Sequence, residues 1–472
     1  TEELAISPLY YNDKFEFSNN QFIISKNYNP SDLSCIEFLE YGYLPFSDSL
    51  YTEVKRKHPD EILKFSLEEK SIKSIPIPLN FHKGYQFDSI EKSLEDLNKA
   101  FIQFFSRIKD QRTFFGLSGG YDSRIIAAYL QNTNSSCIHY LNSDKTERLS
   151  AEKVSILSNI PIKKEKFPKD SPFLYFSKFS SRFINLSSFE YSHVLHLQEN
   201  SLQKEYDVYI DGYIGDTILG GTYFETKKKD LIYSLKYISF LEKFNSRIPD
   251  KNILINYLTD KESLFYQNSD LPESYKKFIY SHKNSLLEKL LPHSKNLETL
   301  EESWKHYTRA RKMISMGPTG INLQIPAFSP FIDKKIKSIC FSIPQEYRNM
   351  DRIYNLFWKK YFSEFSKIPK SRTGGKAYRG NFIYRLQHII NNIIKKIQKS
   401  NSEEYISIRD YISHPNNLFL KELIENSNNQ FLSNFQKAFY NLKIPKSKED
   451  QYFLRMASLG LFLKEGKLNE LS

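Results

Sequence analysis

The segment from Thr113 to Leu130, TFFGLSGGYDSRIIAAYL, constrains the fold more than any other part of the chain. An apolar run passes directly into a glycine turn and a helical pattern, which predicts a buried strand, a tight turn and a helix in succession. Glycine permits close approach of backbone N–H groups to a ligand, and the helix dipole adds positive potential. We therefore predict a phosphate-binding cradle. Its candidate residues are Ser118, Gly119, Gly120, Tyr121, Asp122 and Ser123.

A second glycine turn, DGYIGDTILGGTYF, follows the apolar stretch DVYI at Asp207–Ile210. It places Gly212 and Asp216 at the tip of another predicted strand, just as Asp122 stands at the tip of the first. A magnesium ion bound to a polyphosphate needs hard oxygen ligands and usually takes one or two carboxylates from the protein. We therefore predict that Asp122 and Asp216 hold Mg²⁺. A helix N-cap is the structural alternative for Asp216.

The order of the predicted elements indicates an α/β fold. Between residues 113 and 210, strands such as SCIHYL at Ser136–Leu141 alternate with helical patterns, which is typical of a parallel sheet with ligands at the carboxyl ends of its strands. The apolar spacing predicts a helix from Ser89 to Lys109. Residues 1 to about 85 indicate a small β-rich lobe, and the pattern beyond about Lys229 is mostly helical. We predict two domains, 1–87 and 88–472.

Composition and charge limit the classes of partner. The chain has 472 residues, 40% of them hydrophobic, and a formal net charge of +12 that its lysine content explains without a nucleic acid. Cys35, Cys137 and Cys340 have neither disulfide nor metal-site spacing, as expected in a reducing compartment. No signal peptide or membrane-length apolar run is visible. We therefore expect a cytoplasmic protein without an integral membrane segment.

Four segments together resemble the synthetase domain of the asparagine synthetase family. In that family a pyrophosphate loop reads SGG-x-DS, a later turn is close to SG-E-G-x-D-E-x-x-GGY, and two further segments are close to SMAHGLE-x-R-x-PFLD and LP-x(n)-R-x-K. The counterparts here are Ser118–Ser123, Asp211–Phe224, SMGPTGINLQIPAFSPFID at Ser315–Asp333 and IPKSRTGGKAYRG at Ile368–Gly380. The family's Glu and Arg in the third segment are not preserved, and Asn322 and Gln324 occupy that neighbourhood.

The resemblance implies roles for individual residues. It implies an adenine nucleotide α-hydrolase-like fold, a doubly wound parallel sheet, with ATP and Mg²⁺ at the pyrophosphate loop and with Leu117 and Leu141 beside the adenosine. Lys376 takes the place of the family lysine that contacts the charge developing on the reacting carboxylate and phosphate. Lys370 and Arg372 are further candidates for this role. A solvated basic loop is the simpler alternative for Lys376.

Tyr213 stands where asparagine synthetases carry a glutamate. A tyrosine there resembles β-lactam synthetase and carbapenam synthetase, in which a Tyr–Glu pair helps to deprotonate the attacking amine. The resemblance therefore implies a catalytic Tyr213, although spacing does not place its glutamate partner. Packing in the core is the alternative role for this tyrosine.

The amino-terminal lobe departs most from the family. Glutamine-dependent members begin with a cysteine whose α-amino group serves as base, whereas this sequence begins with Thr1 and has its first cysteine at Cys35. The stretch ISPLYYNDKFEFSNNQF resembles only a later part of a glutaminase domain. We therefore expect a truncated glutaminase-like lobe without glutaminase activity.

The resemblance implies an ATP-dependent carbon–nitrogen ligase. A substrate carboxylate is adenylated with release of pyrophosphate, and an amine or ammonia then attacks the acyl-adenylate. The expected partners are a small-molecule or peptide carboxylate, the amine or ammonia, and a second copy of the chain or a protein that supplies substrate. Lasso-peptide cyclases, β-lactam synthetases and amide-forming enzymes of secondary-metabolite or surface-polysaccharide pathways all stay open. A tRNA-modifying ATP pyrophosphatase and a non-catalytic nucleotide-binding scaffold are the alternatives from other classes.

Overall fold

The structure is a computed structural model that describes most of the residues in the four motifs. The described residues are 6–25, 27–79, 81, 85–141, 145–165, 202–221, 247–258, 271–322, 324–371, 374–377, 383, 386–387, 390, 455–456, 458–460 and 462–463.

The amino-terminal lobe contains a small antiparallel sheet and a β-hairpin. The sheet has the strand order β2-β1-β3, with β1 at Tyr10–Tyr11, β2 at Phe17–Ser18 and β3 at Lys55–Arg56. The hairpin joins β4, Glu61–Ser66, to β5, Ser71–Pro76. The prediction of a small β-rich lobe is confirmed for its described residues.

Two helices in this lobe were not expected from the sequence pattern. They are α1, Gln21–Ile24, and α2, Asp32–Tyr41. The hydroxyl of Ser31 accepts a hydrogen bond from the N–H of Ser34 at 3.4 Å and caps α2, and Gly42 ends the helix at a φ of 77°. Because α2 is buried on nearly every side, it lacks the polar stripe by which a surface helix is identified.

The helix α3, Ile90–Ser106, confirms the helix predicted between Ser89 and Lys109. The Ser89 hydroxyl accepts a hydrogen bond from the N–H of Lys92 at 3.1 Å, a serine N-cap. The apolar positions that carried the prediction are buried in the main core; they are Ile90, Leu94, Leu97, Phe101 and Phe104.

Five parallel strands form the central sheet in the order β10-β9-β6-β7-β8. These strands are β6, Thr113–Gly116; β7, Ser135–Tyr140; β8, Ile162–Glu165; β9, Val208–Ile210; and β10, Ala327–Phe328. The chain runs outward from β6 through β7 to β8 and then returns to the other side of β6 for β9 and β10. The order reverses between β6 and β9, and ligands of open α/β sheets bind at the carboxyl ends of strands beside such a point.

The prediction of an α/β fold with a parallel sheet is confirmed, and β10 corrects one detail of it. This strand lies in a region that the sequence pattern indicates as mostly helical. Two backbone hydrogen bonds attach it to β9: Tyr209 N–H to the Pro326 carbonyl at 2.9 Å and Asp211 N–H to the Phe328 carbonyl at 2.8 Å. A two-residue edge strand is too short to show alternation in sequence.

Apolar side chains cover both faces of the sheet. Phe115 and Ile210 face the main core, whereas Phe114 and Tyr209, one residue earlier on the same strands, belong to a second apolar cluster. Successive side chains point to opposite faces of a strand, so this division follows from the period of two. Burial on both faces explains why these strands read as continuous apolar runs.

Helices connect the strands and form most of the chain beyond β9. Those next to the sheet are α4, Tyr121–Tyr129; α5, Lys145–Ser158; α6, Leu202–Glu205; and α7, Gly215–Ile218. Those that follow are α8, Lys251–Tyr257; α9, Glu273–Leu290; α10, Leu297–Lys305; α11, Met316–Ile321; α12, Lys334–Ser342; α13, Gln345–Arg348; α14, Arg352–Tyr361; and α15, Ser363–Ser366. A π-helix, His306–Ile314, lies between α10 and α11. In the described parts of the chain, none of the helices has the length and apolarity needed to cross a membrane.

The main core is continuous across the predicted boundary at residues 87 and 88. It includes residues of the amino-terminal lobe, of α3 and of the carboxyl-terminal region, and the ring of Phe22 stacks on that of Phe462 with centroids 5.9 Å apart. The division into two domains stays a prediction.

Candidate active site

The predicted phosphate cradle has the strand–turn–helix geometry expected from its sequence. The strand β6 ends at Gly116 and α4 begins at Tyr121. The residue before α4 is Gly120, which has no side chain to cap the first N–H groups of the helix. Such a helix start suits an anionic ligand.

Two serines hold the cradle in shape. The hydroxyl of Ser123 accepts a hydrogen bond from the N–H of Ser118 at 3.2 Å, and the hydroxyl of Ser118 accepts one from the N–H of Gly120 at 3.3 Å. Gly119 has a φ of 71°, and a Cβ at this residue would lie 2.9 Å from the Glu147 carbonyl oxygen. Only glycine fits there without strain.

Leu117 and Leu141, the predicted neighbours of the adenosine, follow adjacent strands. Leu117 is buried, and its N–H donates to the Ile138 carbonyl at 2.8 Å. Leu141 is partly buried, and its N–H donates to the Glu165 carbonyl at 2.7 Å. The Leu117 carbonyl also accepts a hydrogen bond from Nδ1 of His139 at 2.8 Å, a contact that the sequence did not indicate.

The structure brings the two predicted metal ligands, Asp122 and Asp216, together. The N–H of Asp216 donates to Oδ2 of Asp122 at 2.9 Å, and the hydroxyl of Tyr354 donates to Oδ1 of Asp122. Burial and then the charge of Asp216 raise the pKa of the Asp122 carboxyl well above its ordinary value. Two carboxylates that repel each other in a partly buried site are stabilised by a cation between them.

Glycines of the second turn permit this approach. A Cβ on Gly212 would lie 3.0 Å from the Cβ of Asp122, and a Cβ on Gly215 would lie 2.7 Å from the Asp122 carboxyl carbon. Either side chain would therefore push the second turn away from the cradle.

The donor set fits magnesium. Hard carboxylate oxygens are the ligands that Mg²⁺ prefers, and one or two of them suffice when phosphates and water complete the shell. Within the described residues, no group of three or more His, Cys, Asp or Glu side chains is placed to hold a metal. Asp122 and Asp216 therefore suit a shared protein–nucleotide site better than an all-protein cage.

Lys370 lies at this site and pairs with a third carboxylate, that of Asp351. Its Nζ lies 2.7 and 2.8 Å from the two carboxyl oxygens of Asp351 and 5.0 Å from the ring centroid of Tyr121. Its charge also lowers the pKa of Asp122, against the stronger effects that raise it. Asp351 stands close to the second turn, because a Cβ on Gly220 would lie 3.0 Å from its Oδ1. No sequence motif indicates Asp351.

Arg124 fastens the segment before Lys370 to the cradle. This fully buried guanidinium donates to the carbonyls of Gly119, Phe365, Ile368 and Pro369 at 2.8 to 3.1 Å. It therefore joins the first and fourth motifs.

Lys376 lies on a turn beyond Lys370. The turn is closed by hydrogen bonds from Lys370 N–H to the Gly375 carbonyl at 2.8 Å and from Gly374 N–H to the Lys370 carbonyl at 2.9 Å. Lys376 is partly exposed. Arg372 lies outside the described residues, so among the three cations predicted for this role the structure brings Lys370 to the acidic pair.

Tyr213 is buried, and its hydroxyl donates to the carbonyl of Ala310 in the π-helix at 2.7 Å. Burial raises its pKa, and the charges of Arg56 and Arg311 act in the opposite direction. The next residue, Ile214, has a φ of 60°, which is rare for a β-branched residue. Strain of this kind clusters at functional sites.

Asp211 was not among the predicted site residues. It follows β9 directly, and its carboxylate accepts hydrogen bonds from the Tyr209 hydroxyl and the Tyr213 N–H. Burial is the main cause that raises the pKa of Asp211 to about 6. The available sequence signal was its position as the first polar residue after a buried strand.

The third motif has a structural role at the residues that differ from the family. Oδ1 of Asn322 accepts a hydrogen bond from the N–H of Ala327 at 2.9 Å, and its amide donates to the Ser7 hydroxyl at 3.1 Å. The hydroxyl of Ser329 donates to the Tyr213 carbonyl at 3.1 Å. This segment therefore supports β10 and the second turn.

Comparison with known proteins adds no relative. No protein-family model matches the chain, and no curated protein matches it either. The geometry of the site and the motifs in the sequence are therefore the basis for its function.

Proposed function

We propose that the chain is an ATP-dependent ligase that forms an amide through an acyl-adenylate, on a doubly wound sheet similar to that of the asparagine synthetase family. One observation carries the proposal. Asp122 and Asp216 meet at the carboxyl ends of β6 and β9, beside a glycine-rich turn that begins α4. This is the place where an α/β sheet binds nucleotides and where a polyphosphate needs both N–H donors and a cation.

In this proposal the cradle residues hold the β- and γ-phosphates of ATP. The carboxylate oxygen of the substrate attacks the α-phosphorus, the bond to the bridging oxygen of the β-phosphate breaks, and pyrophosphate leaves. The N–H groups at the start of α4 and the cation Lys370 suit stabilisation of the negative charge that increases on the leaving group. Magnesium bound by Asp122 and Asp216 would supply neutralisation of that charge.

The second step forms the amide. The amine nitrogen attacks the acyl carbon, AMP leaves with the bonding electrons, and the amine proton passes to a base. Asp211 suits this role, because it stands at the tip of β9 and its pKa of about 6 allows it to accept a proton near neutral pH. Tyr213, buried and bonded to Ala310, suits positioning of the turn.

The cysteines favour ligation over the sulfur-transfer form of the tRNA-modifying alternative. Cys35, Cys137 and Cys340 are all buried. Burial raises the pKa of each thiol, to about 12 for Cys137. Sulfur transfer uses an accessible thiolate, and these environments disfavour it.

The test is release of pyrophosphate. Purified protein with ATP and Mg²⁺ is incubated with a panel of carboxylates in the presence of ammonia and a mixture of amines, and pyrophosphate and AMP are both quantified. We expect equimolar release with at least one acid, loss of the signal in Asp122→Ala and no loss in the exposed control Asp110→Ala. Absence of release with every acid, or equal rates in Asp122→Ala and the unmodified protein, contradicts the proposal.

A further inference from the structure

Three buried cations lie where the amino-terminal lobe meets the π-helix. Arg56 is on β3, and Arg311 and Lys312 are on the π-helix. Their exposed fractions are 4%, 3% and 2%, which is unusual for basic side chains. We call these three residues the cationic cluster. A π-helix in itself often marks a functional site.

The carboxylates near the cluster do not balance its charge. Asp48 lies 2.8 Å from Nε2 of His58. Glu37 accepts hydrogen bonds from the N–H groups of Phe46 and Ser47, and burial raises its pKa. Nζ of Lys312 donates to the Ser47 carbonyl at 2.9 Å. The two arginines therefore share one carboxylate that is ionised, Asp48, and one that resists ionisation, Glu37, and positive charge is in excess even without the charge of Lys312.

The two arginines have unused donors. Arg56 Nη2 donates to the Arg311 carbonyl at 3.2 Å, and Arg311 Nη2 donates to the Lys57 carbonyl. Nε of Arg56 and both Nε and Nη1 of Arg311 are buried without a hydrogen-bond partner. Buried guanidinium N–H groups are nearly always paired, because an unpaired one forfeits its hydration. Their environment matches that of an anion-binding pair.

Aromatic rings cover the faces of these guanidinium groups. Arg56 lies 5.8 Å from the ring centroid of Tyr10, and Arg311 lies 5.8 Å from that of Tyr307. The rings lie against the two guanidinium groups, and the buried N–H groups without a partner are the donors that the protein itself does not use.

A cavity of about 220 Å³ adjoins the cluster. Asp48 and Tyr307 line it, together with His58 and Lys289, and the Tyr307 hydroxyl lies 2.6 Å from Nδ1 of His58. Since water takes about 30 Å³ per molecule, this volume admits a ligand about the size of an amino acid. The arginines do not line the cavity themselves; Tyr307, which lines it, lies against Arg311, so the cavity is one side chain away from the guanidinium groups.

The cluster also borders the second turn of the candidate active site. Arg56 and Arg311 are the two cations whose charges act on the Tyr213 hydroxyl, and that hydroxyl is bonded to Ala310, the residue before Arg311. An anion held by the arginines is thus next to the turn that carries Asp211.

We propose that Arg56 and Arg311 bind a carboxylate, and that this carboxylate belongs to the amine substrate, which is then an amino acid or another amino-carboxylate. The assignment to the amine rests on the proposed ligase function. Carboxylate binding by the arginine pair does not, because it follows from their burial, charge excess and unused donors.

Thermal unfolding with defined anions tests the binding site without catalysis. Succinate at about 10 mM is compared with inorganic phosphate and with chloride at equal ionic strength. We expect succinate to raise the Tm by about 2 °C, a shift absent in Arg311→Met and in Arg56→Met and partly kept in Arg311→Lys. Arg309→Met, on the same π-helix, is the matched control and keeps the shift.

Each of the other outcomes contradicts the proposal that the two arginines bind a carboxylate. Equal shifts in Arg311→Met and the unmodified protein, or no shift with succinate, show that the arginines do not bind a carboxylate. A shift with phosphate alone makes the site a phosphate site. If Arg311→Met fails to fold, Arg56→Met and Arg311→Lys decide, because Arg311→Lys keeps a buried cation but loses the guanidinium edge.

Product formation with paired amines tests the substrate class. Glycine is compared with methylamine, and alanine with ethylamine, in the presence of an acid that supports pyrophosphate release. We expect kcat/KM to favour the amino acid of each pair, and Arg311→Met to reduce that ratio at least tenfold, while Arg309→Met leaves it unchanged. Equal use of both members of each pair by the unmodified protein overturns the assignment to the amine. Absence of pyrophosphate release with every acid instead refutes the ligase function, and the succinate result still decides the carboxylate site.

Discussion

The two sides of the second turn differ in the sign of their buried charge. On one side, Asp122 and Asp216 meet the ion pair of Lys370 and Asp351, and negative charge is in excess. On the other side, the cationic cluster has positive charge in excess. Each side is costly when empty of a compensating ion, because charge in a low dielectric is poorly solvated. Neither side is therefore built for stability. Each side has the charge that suits a ligand of the opposite sign.

We expect the largest effect on pyrophosphate release from removing the two carboxylates of the acidic side, Asp122 and Asp216. We expect Asp122→Ala and Asp216→Ala each to lower the rate of pyrophosphate release about 10³-fold, and the double variant to lower it hardly further. Residues that act on one ion as a unit are not additive, whereas independent sites would multiply to about 10⁶. Rates of pyrophosphate release at saturating ATP measure this. If the rate reductions of the two single variants multiply in the double variant, the two carboxylates serve separate sites.

The two sides also differ in how well the sequence predicts their residues. The acidic side is made by two short turns that directly follow apolar strands, so residue types and spacing identify Asp122, Asp216 and the cradle. The parallel sheet follows from the alternation of strands and helices. Contiguous motifs carry this information. The helix α3 and the strand β6 are confirmed, and the roles of Asp122, Asp216 and the cradle stay predictions.

The cationic cluster had no such signal. Arg56 and Arg311 come from distant parts of the chain, and only the packing of the lobe against the π-helix brings them together. The same holds for Tyr354, which reaches Asp122 through the packing of α14 on α4, and for Asp351, which pairs with Lys370. The helix α2 and the strand β10 were missed for a local reason, since one has no polar stripe and the other has two residues.

Arg124 tests whether the acidic side depends on a fixed scaffold. We expect Arg124→Met to lower the free energy of unfolding by about 3 kcal/mol, because four buried carbonyls lose their donor. Pyrophosphate release should fall with it, because Lys370 is no longer held against the cradle. Urea unfolding and activity measure the two effects. The control is Arg107→Met, whose ion pair with Asp333 is largely exposed, with an expected change below about 0.5 kcal/mol. A stable Arg124→Met would show that the cradle and the 365–370 segment are held by other contacts.

Gly215 tests the distance between the two turns. We expect Gly215→Ala to reduce pyrophosphate release about tenfold to a hundredfold, since its Cβ would lie 2.7 Å from the Asp122 carboxyl carbon and would separate Asp122 from Asp216. The matched control is Gly116→Ala on β6, where the nearest atom, the Tyr209 hydroxyl, would be at 3.6 Å, an ordinary contact. Steady-state kinetics of both variants measure the difference. Equal activity in the two would mean that the approach of the turns is not needed.

The smallest expected effect is on the pH dependence of the free energy of unfolding, to which the two sides contribute with opposite sign. Burial lowers the pKa of Lys312 to about 7, whereas burial and Asp216 raise that of Asp122. A lysine with a lowered pKa in the folded state binds fewer protons than in the unfolded state between about pH 7 and its ordinary pKa near 10.4. Its contribution to the free energy of unfolding therefore increases as the pH rises above 7. For Asp122 the folded state binds more protons, so its contribution decreases as the pH rises.

The variant Lys312→Met isolates the contribution of Lys312 to the pH dependence of the free energy of unfolding. We expect the free energy of unfolding of the unmodified protein to gain about 1 kcal/mol relative to Lys312→Met between pH 7 and 8.5, because one group gives at most about 1.4 kcal/mol per pH unit. Urea unfolding at several pH values measures the difference curve, and the subtraction removes Asp122, Asp211 and the buried thiols from it. A matched variant, Lys337→Met on α12, should give no such curve, since Lys337 is a buried lysine outside the cationic cluster. A flat difference for Lys312→Met would mean that the lysine keeps its proton in the folded protein, and that Asp48 and Glu37 already balance the cationic cluster without an added anion.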